Sequence, residues 1–459
     1  VKSLMRLLAA FVLVCFTMLP VRGSDSLDVT TFVVLGDGFT AGMRNSRLYS
    51  EAQKGSFPAL AAGQMHAIFP LPLINGPGLG KLPGQSPGRV DLPSTLQTTV
   101  RESPPNLFVF NLSVPGFGPD EALSLRPVPP LIAKTDPTQT AANFILGFPS
   151  LILNRDTPYW TQVEYAQSMH PTLILVALGF DQIFAAAIQG RATELSEGAP
   201  DFVARYREVL DALSGLHAQL IVASIPSPTV TPYFATLDEA TRLVGVPADV
   251  LETLYALDPG DRLTLPGLFA IADQLLRRKI EELPPGSVLP QAQTAEVETV
   301  VEQWNQEIAA AAQAEGAHFF DLASFLSDVR KTGLLVSQRE VTADYLGGFY
   351  SLDGVYPGSL GQAAIANSFL TFLNQEFGTD TPLLPLSDFV DQEIALTASA
   401  ARRGVYSVEQ LESFVPDLRR RLEDHRIRRD LRNAGERRSG PRSRPADRSR
   451  APIGPGGGQ

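Results

Sequence analysis

The sequence predicts an α/β protein, a three-layer α/β/α sandwich with a central parallel sheet. Short apolar runs rich in β-branched residues recur along the chain, at 31–36, 106–113, 171–179 and 218–226. Segments with helical spacing of apolar residues lie after them, at 203–216, 294–314 and 360–377. Alternation of strand and helix at this spacing is the pattern of a parallel sheet covered by helices. With 459 residues, 44% hydrophobic and 19% charged, the chain has ample material for a core and is not disordered throughout.

The first element is a leader. Lys2 and Arg6 precede an apolar run from Leu7 to Pro20, and small Gly23 follows. This order of charge, apolar run and small residue predicts a signal peptide over 1–23, and so a secreted or periplasmic protein. An uncleaved anchor is the alternative, although the run is short for a membrane span. Cys15, the only cysteine, lies inside the run and is not flanked as in a lipoprotein. The mature chain is then expected to hold no disulfide and no thiolate metal site. The five histidines, His66, His170, His217, His318 and His425, are not spaced as metal ligands, and no metal or other cofactor is expected.

Residues 24–400 form the predicted α/β domain. Its first run, "TFVVLG" (31–36), reads as a buried strand; Gly36-Asp37-Gly38 is a tight turn, and a helix opens from Phe39. Residues 66–105 and 114–155 are rich in Pro and Gly and are expected as surface excursions. Residues 227–293 read as an insertion of short helices. The last part, 401–459, changes character: a charged helix is expected over 407–431, and an Arg-, Pro- and Gly-rich disordered tail after Gly435. Thirteen arginines face five acids between Arg419 and Arg450, a balance of +8 in a chain whose net charge is −11. Such a tail is either a solvated end or a contact for an anionic envelope surface; an exported protein is not expected to meet nucleic acid.

In parallel sheets of this kind ligands sit beyond the carboxyl ends of the strands. There the segments "LGDGFTAG" (35–42), "NLSVPGFG" (111–118), "VALGFDQI" (176–183) and "SLDGVYPGSLGQAAIANSF" (351–369) follow one another. These four blocks resemble, in order, the characteristic blocks of the SGNH (GDSL-type) esterase and lipase family. The resemblance spans 31–369 and implies an SGNH-hydrolase-like, flavodoxin-like fold.

What it implies for chemistry is loss. The family's nucleophilic serine falls on Gly38, and its histidine on Tyr356, three residues after the retained triad acid Asp353. The oxyanion glycine is retained as Gly116. The third block, normally Gly-x-Asn-Asp, puts the Asn position at Phe180 when aligned back from Asp181; a one-residue deletion after Gly179 is the other reading. Neither supplies the Asn. Glycine offers no hydroxyl to attack a carbonyl, a phenol of pKa about 10 is a poor base near neutrality, and phenylalanine donates nothing to an oxyanion. Ser113 and Ser351 are the other candidate nucleophiles, neither with an evident base. Thr40 is expected at a helix start, and Asp37 and Asp181 as acceptors for turn and helix N–H groups.

Three functional readings follow. The first is an inactive relative that binds a lipid, acyl ester or glycan where the N–H groups of Gly38 and Gly116 face a cleft beside Asp353 and Tyr356. The second is a hydrolase working with a non-standard residue set. The third is an envelope interaction protein acting through its insertion or basic tail. The sequence leaves the oligomeric state open.

Overall fold

The computed structural model describes residues 27–76, 78–80, 106, 108–148, 151 and 158–390. The expected leader, most of the 66–105 excursion, the charged helix and the basic tail lie outside these residues.

Four parallel strands form the central sheet: β1 (Phe32–Gly36), β2 (Leu173–Ala177), β3 (Gln219–Ala223) and β7 (His318–Phe320), in the order β1-β2-β3-β7. Phe32 pairs with Leu173 and Gly36 with Ala177, so β1 and β2 end level with each other. All five residues of β1 are buried, as expected of strands covered on both faces. Of the segment read as a strand at 106–113, residues 110–113 lie on the free side of β1. Val34 N donates to Phe110 O (2.9 Å), Leu112 N to Val34 O (2.9 Å) and Val114 N to Gly36 O (3.0 Å). Counting this edge, the chain order across the sheet is 2-1-3-4-5, a doubly wound arrangement whose reversal point lies between β1 and β2. The buried Gln162 amide ties β1 to this edge neighbour, donating to Gly36 O and Leu112 O, each at 2.9 Å.

Helices cover both faces. The predicted helices are found at Ala199–Ser214, Gln291–Ala314 and Ser359–Phe377, within a few residues of their expected bounds. The last buries residues around most of its girth, Phe369, Leu370 and Leu373 among them, and ends at Gly378 in the left-handed region (φ 66°). The expected excursion 114–155 is more regular than foreseen, holding helices Pro119–Ser124 and Pro137–Ile145.

The insertion differs from its expectation as well. Besides helices it carries a three-stranded antiparallel sheet of β4 (Phe234–Thr236), β5 (Arg262–Thr264) and β6 (Val288–Leu289). Several hydrogen bonds and ion pairs fasten it to the body. Tyr233 N donates to Gly354 O (2.8 Å). Arg330, 15% exposed, forms an ion pair with Glu239, 12% exposed, and reaches Ala343 O (3.2 Å). A small hairpin, β8 (Leu334–Val336) and β9 (Arg339–Val341), follows.

Candidate functional site: a closed carboxylate joint

Three turns meet at the carboxyl ends of β1, its edge neighbour and β2. After β1, Asp37 caps a one-turn helix, Gly38–Ala41, by accepting from Phe39 N (3.0 Å). Thr40 supports this start, donating to Ser113 Oγ at 2.8 Å. After the edge segment the chain turns through Gly116 at φ 88°, where a Cβ would stand 2.5 Å from Thr138 Oγ1. Only glycine fits there. After β2, Gly179 at φ 113° caps the helix Phe180–Ile188.

The N–H groups of Gly38 and Gly116 converge, and what they converge on is the Asp181 carboxylate. Asp181 Oδ2 accepts from Gly38 N at 2.9 Å and from Gly116 N at 2.7 Å. Its other oxygen accepts from the Tyr356 hydroxyl at 2.6 Å. The position expected to hold a substrate oxyanion is thus filled by an internal carboxylate, with three donors aimed at it. Short charge-assisted bonds of this kind are stronger than neutral ones.

This geometry changes the reading of the third block. Phe180 does not face the two N–H groups; its ring packs edge-on against Phe39 (5.2 Å) and Tyr356 (6.1 Å) and stacks on Phe184 (6.2 Å). The side chain facing them is its neighbour. Read without a gap, Gly179-Phe180-Asp181-Gln182 places Asp181 at the Asn position of Gly-x-Asn-Asp. Asn and Asp have nearly the same shape but opposite capacity: an amide N–H₂ donates, whereas a carboxylate only accepts.

The glycine at 38 is explained by its neighbours and not by its backbone. Its backbone is helical, not left-handed, so conformational freedom is not the reason. A Cβ there would stand 2.7 Å from Tyr356 Oη and 2.8 Å from Asp181 Oδ2. Glycine makes room for the tyrosine–aspartate pair.

Asp353 sits apart from that pair. Its Oδ1 accepts from Val355 N (2.8 Å) and Tyr356 N (3.0 Å), and its Oδ2 from Ser46 N (2.8 Å). The Tyr356 hydroxyl points to Asp181 instead. Ser46 belongs to a tight turn, Arg44 to Arg47, closed by backbone hydrogen bonds in both directions, with Asn45 and Ser46 at positive φ. Asn45 Oδ1 accepts from Leu352 N (3.0 Å) and Asn45 N donates to Ser351 Oγ (3.1 Å). The retained acid therefore binds this turn over the 351–356 loop, and Ser351 takes part in the same contact.

Burial sets the electrostatics. Tyr356 is 0% and Asp181 1% exposed. Loss of solvent, then the Asp181 charge, pushes the Tyr356 phenol well above its ordinary value, so it remains a donor. Loss of solvent also raises Asp181, opposed by its bonds from Tyr356, Gly116 and Gly38. Asp37, whose Oδ2 accepts from Asp181 N (3.1 Å), is pushed well above the usual carboxylate range by burial and by the Asp181 charge. Asp353 is raised by burial too. Beside Asp37, Phe39 and Phe180 a void of about 10 Å³ remains, room for one water at most. Among the described residues no group of three His, Cys, Asp or Glu could hold a metal ion, and no helix is long and apolar enough to cross a membrane.

No family model matches the chain, and no curated protein matches it. Solved structures do. A phospholipase A1 from Streptomyces albidoflavus NA297 is 11% identical over 76% of this chain and 100% of its own, with a TM-score of 0.34. An extracellular lipase from Streptomyces rimosus is 13% identical over 75% and 98% (TM-score 0.34), and an acetylxylan esterase from Geobacillus stearothermophilus 12% over 76% and 94% (TM-score 0.31).

Proposed function

We propose that this chain is an SGNH-type α/β protein without serine-esterase activity, exported by its leader, in which the former catalytic centre is a structural joint. The observation that carries the reading is the Asp181 carboxylate bonded to Gly38 N, Gly116 N and Tyr356 Oη. Acyl transfer needs an activated nucleophile and an empty oxyanion site. Position 38 has no side chain, and the donors of the site are engaged from within. The alternative nucleophiles give no support to a non-standard hydrolase: Ser113 Oγ is paired with Thr40 and Ser351 Oγ accepts from Asn45 N.

An acyl or glycan ligand at Gly38 and Gly116 would have to displace Asp181 from both. The reading therefore assigns ligand binding to another surface of the domain, with the basic tail as a contact for an anionic envelope. The test is turnover of p-nitrophenyl esters from acetate to dodecanoate, with labelling by a fluorophosphonate probe. The expected outcome is no turnover above the buffer rate and no labelled serine. A covalent adduct on Ser113 or Ser351 would sink the proposal.

A further inference from the structure

We infer that the turn from Arg44 to Arg47 is a strap whose release opens the carboxylate joint locally, while the central sheet stays folded. The inference rests on the joint described above and concerns how it opens.

The strap connects the same two pieces of chain as the joint does. On one side it continues from the Gly38 helix, where Gly42 is the cap and Met43 N donates back to Gly38 O (3.0 Å). On the other side three hydrogen bonds bind it to the 351–356 loop. These are Asn45 N to Ser351 Oγ (3.1 Å), Leu352 N to Asn45 Oδ1 (3.0 Å) and Ser46 N to Asp353 Oδ2 (2.8 Å). The inner tie between the two pieces runs through Asp181, which accepts from Gly38 N and from Tyr356 Oη. Asp353 links the two ties, because its Oδ1 holds Val355 N and Tyr356 N. Losing Ser46 N therefore loosens the carboxylate that fixes the Tyr356 backbone.

Polar contacts hold the strap against its own backbone preference. Its four residues, Arg-Asn-Ser-Arg, include no apolar side chain, whereas Met43 and Leu48 at its ends are 0% and 1% exposed. Arg44 anchors one end, its guanidinium donating to Tyr49 Oη and Ser359 Oγ. Backbone bonds between Arg44 and Arg47 in both directions close a two-residue hairpin, with φ 54° at Asn45 and 62° at Ser46. A tight turn with positive φ at both central residues favours Asn followed by Gly. Asn45 fits. Ser46 stands where glycine is preferred, and its β-carbon disfavours that conformation. A residue in such a conformation persists only where its surroundings fix it, and the fixing contact is Ser46 N on Asp353. Release of that contact relieves Ser46. Segments with few buried apolar contacts are the ones that open below the threshold of global unfolding.

The test is hydrogen exchange of the full chain, read by mass spectrometry in peptides covering 36–43, 351–358 and the β2 strand 173–177. Asn45→Ala removes the acceptor for Leu352 N and a side chain that tolerates positive φ. It should speed exchange over 36–43 and 351–358 about tenfold and leave 173–177 unchanged. Ser46→Gly keeps the N–H that Asp353 needs and removes the β-carbon, so it should slow exchange in the same two peptides about threefold or more. The glycine variant relieves strain and stays folded, so the test does not depend on the alanine variant alone. Equal speeding of 173–177, speeding confined to 44–47, or no slowing by Ser46→Gly would overturn the inference. Ester turnover and serine labelling play no part in this readout, so it and the proposed function fail separately.

Discussion

Replacing Asp181 by alanine should do two things that an ordinary core truncation does not. The carboxylate is the common acceptor for Gly38 N, Gly116 N and Tyr356 Oη. Removing it strands three buried donors, each worth about 1–3 kcal/mol when left unpaired. Water entering the gap relieves part of this, so the net loss should be about 3–5 kcal/mol, the scale of breaking a buried pair. At roughly 2 °C per kcal/mol for a domain of this size, the melting temperature should fall by about 5–10 °C. The second effect is rescue. The gap has the shape of the group removed, a formate ion, and its walls are donors. Formate should therefore raise the melting temperature of Asp181→Ala saturably, by about 2.7 kcal/mol at a hundredfold excess over its Kd. Acetate should do less, because its methyl group meets the alanine Cβ. The assay is differential scanning fluorimetry at constant ionic strength, with chloride as the control ion. A loss below about 1 kcal/mol, or a formate response equal to that of the unmodified protein, would refute the joint.

Three further outcomes are expected. Gly38→Ser alone should destabilise, since its Cβ would stand 2.7 Å from Tyr356 Oη; with Asp181→Asn and Tyr356→His added, trace hydrolysis of p-nitrophenyl acetate should appear, measured against the folded single variant. Burial and the Asp181 charge push the Asp37 carboxyl well above its ordinary value, so its contribution is present in full below the unfolded value near 3.8 and is lost as pH rises through its folded value. Thermal melts should show stability increasing as pH falls through that folded value, and Asp37→Asn should flatten the slope. Arg330→Met should cost about 3–5 kcal/mol by stranding the half-sealed Glu239; Arg330→Met with Glu239→Gln should recover part of it, read by urea unfolding as a double-mutant cycle.

How far the sequence carried this picture depends on whether the cause of each feature is local. The strands at 32–36, 173–177 and 219–223 are legible because continuous apolar runs bounded by Gly, Pro or His say strand by themselves. The sheet of the insertion is not legible: its strands have two or three residues each, too few for any periodicity. At the site, the turns after the strands placed Gly38 and Gly116, and Asp37 and Asp181 were readable as acceptors for N–H groups. Which residue of "GFDQ" faces those groups was not. Successive residues at a helix start point about 100° apart, so the answer turns on where the helix begins, and Gly179 at φ 113° decides it. The reason for Gly38 lies further away still, in Asp181 and Tyr356, 143 and 318 positions along the chain. Taken singly, a missing serine, a missing Asn and a missing histidine read as three losses. In space they depend on one another. The tyrosine hydroxyl stands where a Cβ at 38 would collide, it needs an acceptor because it is fully buried, and the carboxylate at 181 supplies one while also holding the two N–H groups. A serine, an amide or an imidazole returned at any one of these positions would meet the other two as obstacles, so the three positions are one hydrogen-bonded unit.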